Sequence, residues 1–294
     1  ALWSGSESLL QTLGEQFGST ADSDVKAKHE LGNARRDSLK HYSGAMFYYG
    51  GEWYWGVDRL YHLEQRLGAL GADRRPDTPQ IMPKQEVSAG KLRDNGSLTL
   101  ELFVSVRSPY SAIVFDRVLA MVESTGVTLN VRPILPMVMR GVSATREKGV
   151  YIFSDAAREA RASNVPYGDF YDPIGEPVRR CYSLYPWACS QGKGNALLSS
   201  FLSAAFAKGI NTNNDRGLRQ VVENAGLDWA SAKQIVGQDG WQEILEDNRL
   251  AMYDSGLWGA PSFRLLDADK NVVLALWGQD RLWLFEREIQ NLLA

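Results

Sequence analysis

Leu98-Thr-Leu-Glu-Leu-Phe-Val-Ser-Val-Arg-Ser-Pro-Tyr-Ser-Ala-Ile113 holds two hydrophobic periods in one run. Leu98, Leu100, Leu102 and Val104 alternate with Thr99, Glu101 and Ser105, which predicts a strand with one preferred face. Beyond it Val114, Val118 and Val122 recur every four residues, with Ile113, Phe115 and Leu119 beside them, which predicts a helix with a wide buried face. The period changes at Arg107-Ser108-Pro109-Tyr110. Proline suits the first helical turn, where its missing N–H costs nothing, and Ser108 stands where an N-cap would. A hydroxyl beside free N–H groups at a helix start makes a small anion-binding site. The rest of the chain is read outward from that point.

At 294 residues the chain is long enough for two domains or one large one. With 44% hydrophobic and 23% charged residues it has the composition of a globular protein. A net charge of −3 without a basic stripe argues against nucleic acid or an acidic membrane surface as partner. No apolar run approaches the roughly 18 residues of a membrane span. Cys181 and Cys189, the two cysteines, are too few for a disulfide scaffold and have seven residues between them without zinc-type histidines. A reducing, cytoplasmic setting is the expectation.

Upstream, Leu9, Leu10, Leu13 and Phe17 predict a short helix, residues 25–31 a second and 33–42 a third. Ala45-Met-Phe-Tyr-Tyr49 and Glu52-Trp-Tyr-Trp55 flank Gly50-Gly51 as a hairpin, and a helix follows from Gly56 to Leu67. Residues 73–96 turn to proline, glycine and charge and read as an interdomain linker. Downstream, Val127-Thr-Leu-Asn-Val-Arg-Pro-Ile-Leu135 is a second strand, and residues 146–250 are mostly helical. Gly259-Ala-Pro-Ser-Phe-Arg-Leu-Leu266 and Val272-Val-Leu-Ala-Leu-Trp277 form a second hairpin, and residues 281–293 a closing helix.

The two ends repeat each other. Trp55-Gly-Val-Asp-Arg-Leu60 matches Trp277-Gly-Gln-Asp-Arg-Leu282, and Gly44-Ala45-Met46 matches Gly259-Ala260-Pro261. Ala1-Leu-Trp-Ser-Gly5 with its helix echoes Ala205-Phe-Ala-Lys-Gly209. Residues 1–72 therefore read as the second half of a domain whose complete copy occupies 97–294. The strand and Ser-Pro helix start of that first copy are expected from a missing N-terminal segment or from another polypeptide.

Strand, helix, strand, helical insertion, then Gly-Ala-Pro, hairpin and helix is an α/β order. Together with Ser108-Pro-Tyr-Ser111, Arg132-Pro-Ile-Leu135, Lys148-Gly-Val-Tyr151 and Trp277-Gly-Gln-Asp-Arg281, it resembles the DsbA-like family that includes 2-hydroxychromene-2-carboxylate isomerases and kappa-class glutathione transferases. The resemblance implies a thioredoxin-like fold with an inserted helical domain, here preceded by a half copy of the same fold. It implies glutathione as cofactor, its sulfur held as thiolate by Ser108, the catalytic residue. It further implies a cis Ala260–Pro261 bond with the Ala260 backbone facing the peptide part of the ligand. Gln279, Asp280 and Arg281 would take the γ-glutamyl end, Lys148 would lie near the ligand, and Tyr110 would line the substrate pocket. The substrate would be an aromatic or electrophilic small molecule, isomerised or conjugated, and members of the family often form homodimers.

The chain departs from that family in two places. The loop Met139-Arg-Gly-Val-Ser-Ala-Thr145 lacks the family's asparagine, and Met46 stands where the half copy would need proline. Other readings stay open beside the resemblance. Ser108 reads also as a plain N-cap, Asp280-Arg281 as a capping acid with a surface ion pair, and Lys148 as a solvated lysine. The whole reads also as a catalytically silent tandem binding scaffold. A thiol-disulfide oxidoreductase would need C-x-x-C where this chain has serine at both ends.

Overall fold

The computed structural model describes residues 6–87 and 90–294. Ala1-Leu-Trp-Ser-Gly5, the start of the predicted repeat, lies outside them. Helix α1 (Glu7–Phe17) is capped by Ser6, whose Oγ accepts from the Leu9 amide at 3.3 Å. Helix α2 (Asp22–Ser38) is one element where the sequence predicts two, because Gly32 inside it is tolerated at modest cost. Neither helix buries a residue.

Strands β1 (Met46–Tyr49) and β2 (Glu52–Trp55) pair around Gly50 and Gly51, both with positive φ, the turn a two-residue hairpin favours. A 3-10 turn, Val57–Arg59, leads into α3 (Leu60–Ala69). The predicted linker is a bonded strap. The Glu64 carboxylate accepts from the amides of Ile81 (2.6 Å) and Met82 (2.9 Å), and Lys84 donates to the Ala162 carbonyl at 2.8 Å. Leu92 exchanges two hydrogen bonds with the Gln290 side chain. Asp94, buried, gathers the amides of Gly96, Ser97 and Leu98.

Strand β3 (Thr99–Val104) runs into α4 (Pro109–Thr125) as the change of period predicts. β3 pairs parallel with β4 (Thr128–Pro133) on one side and antiparallel with β5 (Ser262–Leu266) on the other, with β6 (Val272–Trp277) at the edge. Between β4 and β5 lie α5 (Arg146–Ala162), α6 (Glu176–Ser190), α7 (Gly194–Phe206), α8 (Asp215–Asn224), α9 (Trp229–Ile235) and α10 (Trp241–Asp254). Helix α11 (Leu282–Leu293) closes the chain. This is the strand order of the expected fold.

The sheet is buried on both faces, where alternation predicts one. Leu100, Leu102 and Val104 pack with Val114, Phe115 and Val118 of α4, whereas Phe103 on the opposite face packs with Met252 of α10 and Leu257. Glu101 shares that second face, buried, and is neutralised by Arg132 (2.6 Å) and Arg264. Gly126 ends α4 in the left-handed conformation (φ 74°), and a Cβ there would meet the Asp94 carbonyl at 2.7 Å. Among the described residues, no helix is long and apolar enough to cross a membrane.

The two hairpin-to-helix segments share a register that corrects the sequence match by one residue. Met46 pairs with Trp55, and Ser262 pairs with Trp277. The Gly56 amide donates to Ala45 (3.0 Å) as the Gly278 amide donates to Pro261 (3.1 Å). Ala45, at φ 54°, therefore stands where Pro261 stands, and Met46 does not. Matching on Gly-Ala misplaces the frame because pairing to the tryptophan, across hairpins of different length, sets it.

Candidate functional site

Four short links hold the turn between β3 and α4. The Ser108 amide donates to the Ser105 carbonyl (2.9 Å), and the Ser105 amide donates to Ser111 Oγ (3.3 Å). The Tyr182 hydroxyl, from α6, accepts from the Val106 amide (3.1 Å) and donates to the Ile134 carbonyl (3.0 Å), tying the ends of β3 and β4 together. Arg107 clamps Asp172 through two bonds of 2.7 and 2.8 Å. Ser108 is an N-cap, its Oγ accepting from the Ser111 amide at 3.2 Å, with Pro109 in the first turn.

The same hydroxyl donates to the Ala260 carbonyl at 3.1 Å, and the Ala260–Pro261 bond is cis. Ser108 and the proline loop thus face each other. Gly259 is required here by close approach, since a Cβ would meet the Trp277 ring nitrogen at 2.7 Å. Ser108 and Ala260 open onto a cavity of about 480 Å³, within the range of small-molecule sites. Its walls are aromatic, among them Tyr42, Trp55, Phe153, Trp258 and Trp277. Among the described residues its charged lining is Arg107, Arg140 and Lys148, with no carboxylate. Arg107 is spent on Asp172, and Arg140 reaches the Tyr253 hydroxyl at 2.8 Å. Lys148 enters because Thr145 caps α5, and its ammonium lies 5.8 Å from the Tyr42 ring centre. A helix N-terminus beside Arg140 and Lys148, the two lining cations not held by Asp172, favours an anion at Ser108.

The other predicted site residues are placed differently. Tyr110 touches the cavity, but its hydroxyl donates to Asp155 at 2.8 Å, and burial with the Asp155 charge pushes that phenol's pKa well up. Gln279 is buried, accepting from Arg117 (3.1 Å) and donating to Glu159 (2.6 Å). Asp280 accepts from Arg59 at 2.7 Å, and Arg281 clamps Asp58 through bonds of 2.6 and 2.8 Å. Gln279, Asp280 and Arg281 line a separate recess of about 180 Å³, which shares Trp55, Tyr110 and Trp277 with the larger cavity. None of the three lines the cavity at Ser108.

Arg59, absent from the sequence reading as a site residue, is the centre of this second constellation. It is buried and pairs with Asp155 (3.0 Å), Glu159 (3.3 Å) and Asp280. Burial alone would lower its pKa, but the three carboxylates raise it well above the ordinary value. Burial would likewise raise Glu159, yet the His62 hydrogen bond (2.8 Å), the Arg59 charge and the Tyr61 hydroxyl (2.6 Å) hold it at about 2. His62 is pushed down chiefly by burial, and its Nε2 donates to the Glu159 carboxylate. The only sequence signal for this cluster is the recurrence of Asp-Arg at 58–59 and 280–281. Cys181 and Cys189, both on α6, do not line the Ser108 cavity.

The family described as "DSBA-like thioredoxin domain" matches residues 99–290. No curated protein matches the chain in sequence. Among solved structures, 2-hydroxychromene-2-carboxylate isomerase is similar at 19% identity over 66% of this chain and 95% of its own, with a TM-score of 0.55. A putative protein disulfide isomerase from Nitrosomonas europaea is similar at 10% identity over 67% of this chain and 97% of its own, with a TM-score of 0.51. The cytosolic disulfide reductase DsbM from Pseudomonas aeruginosa follows at 19% identity, 66% and 96% coverage, and a TM-score of 0.49. At such identities the likeness speaks for the fold, and the chemistry rests on the residues.

Proposed function

We propose, on the premise that this chain belongs to the DSBA-like thioredoxin domain family, that the Ser108 cavity holds glutathione as its thiolate and acts on an aromatic or electrophilic small molecule. The observation that carries the reading is the Ser108 hydroxyl at a helix start, 3.1 Å from the carbonyl before the cis proline, in a cavity whose charged lining is entirely cationic. The donor set fits a thiolate. The hydroxyl and the helix N-terminus supply donors and positive potential, which together lower a thiol pKa. When bound, glutathione supplies a soft nucleophile that can add to an electrophilic carbon and then leave or remain as conjugate. Ser108 Oγ would turn its hydrogen from Ala260 to the sulfur. Lys148 adds charge, and the tryptophans supply faces for a flat substrate. The recess at Asp280 and Arg281 would receive the γ-glutamyl end by sharing Asp280 with Arg59 and Arg281 with Asp58, an acid for its ammonium and a guanidinium for its carboxylate.

The test is a glutathione titration monitored by tryptophan fluorescence and by the ultraviolet absorbance of the thiolate. Wild type is expected to bind and to lower the thiol pKa by about one unit or more, whereas Ser108→Ala loses that shift, a difference of roughly 1.4 kcal/mol. Absence of binding at millimolar glutathione sinks the reading. A ligand-binding role without turnover is the second reading, favoured by a cavity lining without histidine or carboxylate to move a proton. Residues 1–72 are, in the same proposal, the second half of a first copy of this domain.

A further inference from the structure

We infer that residues 41–72 act as a built-in second partner, which docks through an isologous contact and completes the cavity at Ser108. The contact follows the rule of a two-fold interface, in which i meets j and j meets i. Arg59 of the first Trp-Gly-x-Asp-Arg-Leu meets Asp280 of the second at 2.7 Å, and Arg281 of the second meets Asp58 of the first at 2.6 Å. Trp55 and Trp277, which open the two motifs, lie 5.3 Å apart between ring centres. Each motif is presented alike, by a strand, a glycine of positive φ, a 3-10 turn and a helix.

The docked segment reaches past the contact. Tyr42, Ser43 and Trp55 line the Ser108 cavity, so part of its wall comes from outside the complete domain. Arg59, Tyr61 and His62 extend the joint onto Asp155 and Glu159 of α5, the helix that also carries Lys148 to the cavity. A face that two copies of one domain could share is thus occupied within a single chain. Binding in the cavity and docking of the segment then strengthen each other by the same factor. The inference concerns how the cavity is built and stands whatever thiol or substrate fills it.

The test uses the full chain and the Asp58–Arg281 pair, whose members are half-exposed and do not line the cavity. Asp58→Arg, Arg281→Asp and the double exchange are compared for affinity toward the anionic dye anilinonaphthalene sulfonate and for amide hydrogen exchange in α3. Each single change is expected to weaken dye binding about threefold or more and to speed exchange in α3. The double exchange is expected to return both to within about twofold of wild type. Faster exchange with unchanged or tighter dye binding overturns the composite cavity. Singles without effect, or a double that fails to restore, overturn the isologous contact. A chain that behaves as expected here but ignores glutathione refutes only the thiol reading.

Discussion

Ser108 and Pro261 are held by local features, an N-cap before proline and a Gly-Ala-Pro run before a strand. Arg59 is held from afar. Its partners Asp155 and Asp280 lie 96 and 221 residues away in the chain, and no window of sequence holds them together. Ser111 shows the same limit. Its place in the motif suggests chemistry, yet its hydroxyl is buried and accepts the Ser105 amide. Arg59→Met removes one cation from three carboxylates and leaves their charges facing one another in a buried site. The expected cost is about 3–5 kcal/mol, far above that of a surface pair. Chemical denaturation followed by tryptophan fluorescence measures it, and a loss below about 1 kcal/mol would show that the cluster holds nothing.

At the scale of elements, the strand-to-helix switch, both hairpins and the helical insertion follow from period and turn residues. The misses share a cause. Helix α2 continues through a position that local signals read as a break, and the frame of Ala45 is set by cross-strand pairing. The burial of both sheet faces depends on α10, which comes some 140 residues after β3 in the chain. The site turn also depends on a distant element, since the Tyr182 hydroxyl on α6, 76 residues from Val106 in the chain, bridges Val106 and Ile134. Tyr182→Phe keeps the ring but strands a buried amide, at an expected cost of about 1–3 kcal/mol. A thermal melt measures the loss. Glutathione or dye affinity should fall with it, because the turn before Ser108 loses its anchor; a melt lowered with affinity intact would show the turn to be self-supporting.

For the whole molecule, charge couples the N-terminal segment to the rest, so acid should separate them. The sign is fixed by two groups. His62 has its folded pKa lowered below 6.5, so the undocked state takes up its proton first as pH falls through that value. Glu159 is held at about 2 against an ordinary value of 4.5, so the stability it contributes is complete above about 4.5 and is lost as pH falls toward 2. Both push the same way, and the protection of α3 amides, taken relative to their intrinsic exchange at each pH, is expected to fall below about pH 6 and again below about pH 4.5. Glu159→Gln should flatten the second step, and a profile level from pH 7 to 3 would contradict the account. The strap, described at residues 73–87 and 90–96, sets what happens after such a release. Bonds to Ile81 and Met82 at one end and to Leu92 at the other keep the freed segment on a short leash, at high effective concentration beside its seat. Dilution cannot separate the two parts; severing the leash can, and a protease would turn a fleeting opening into a permanent one.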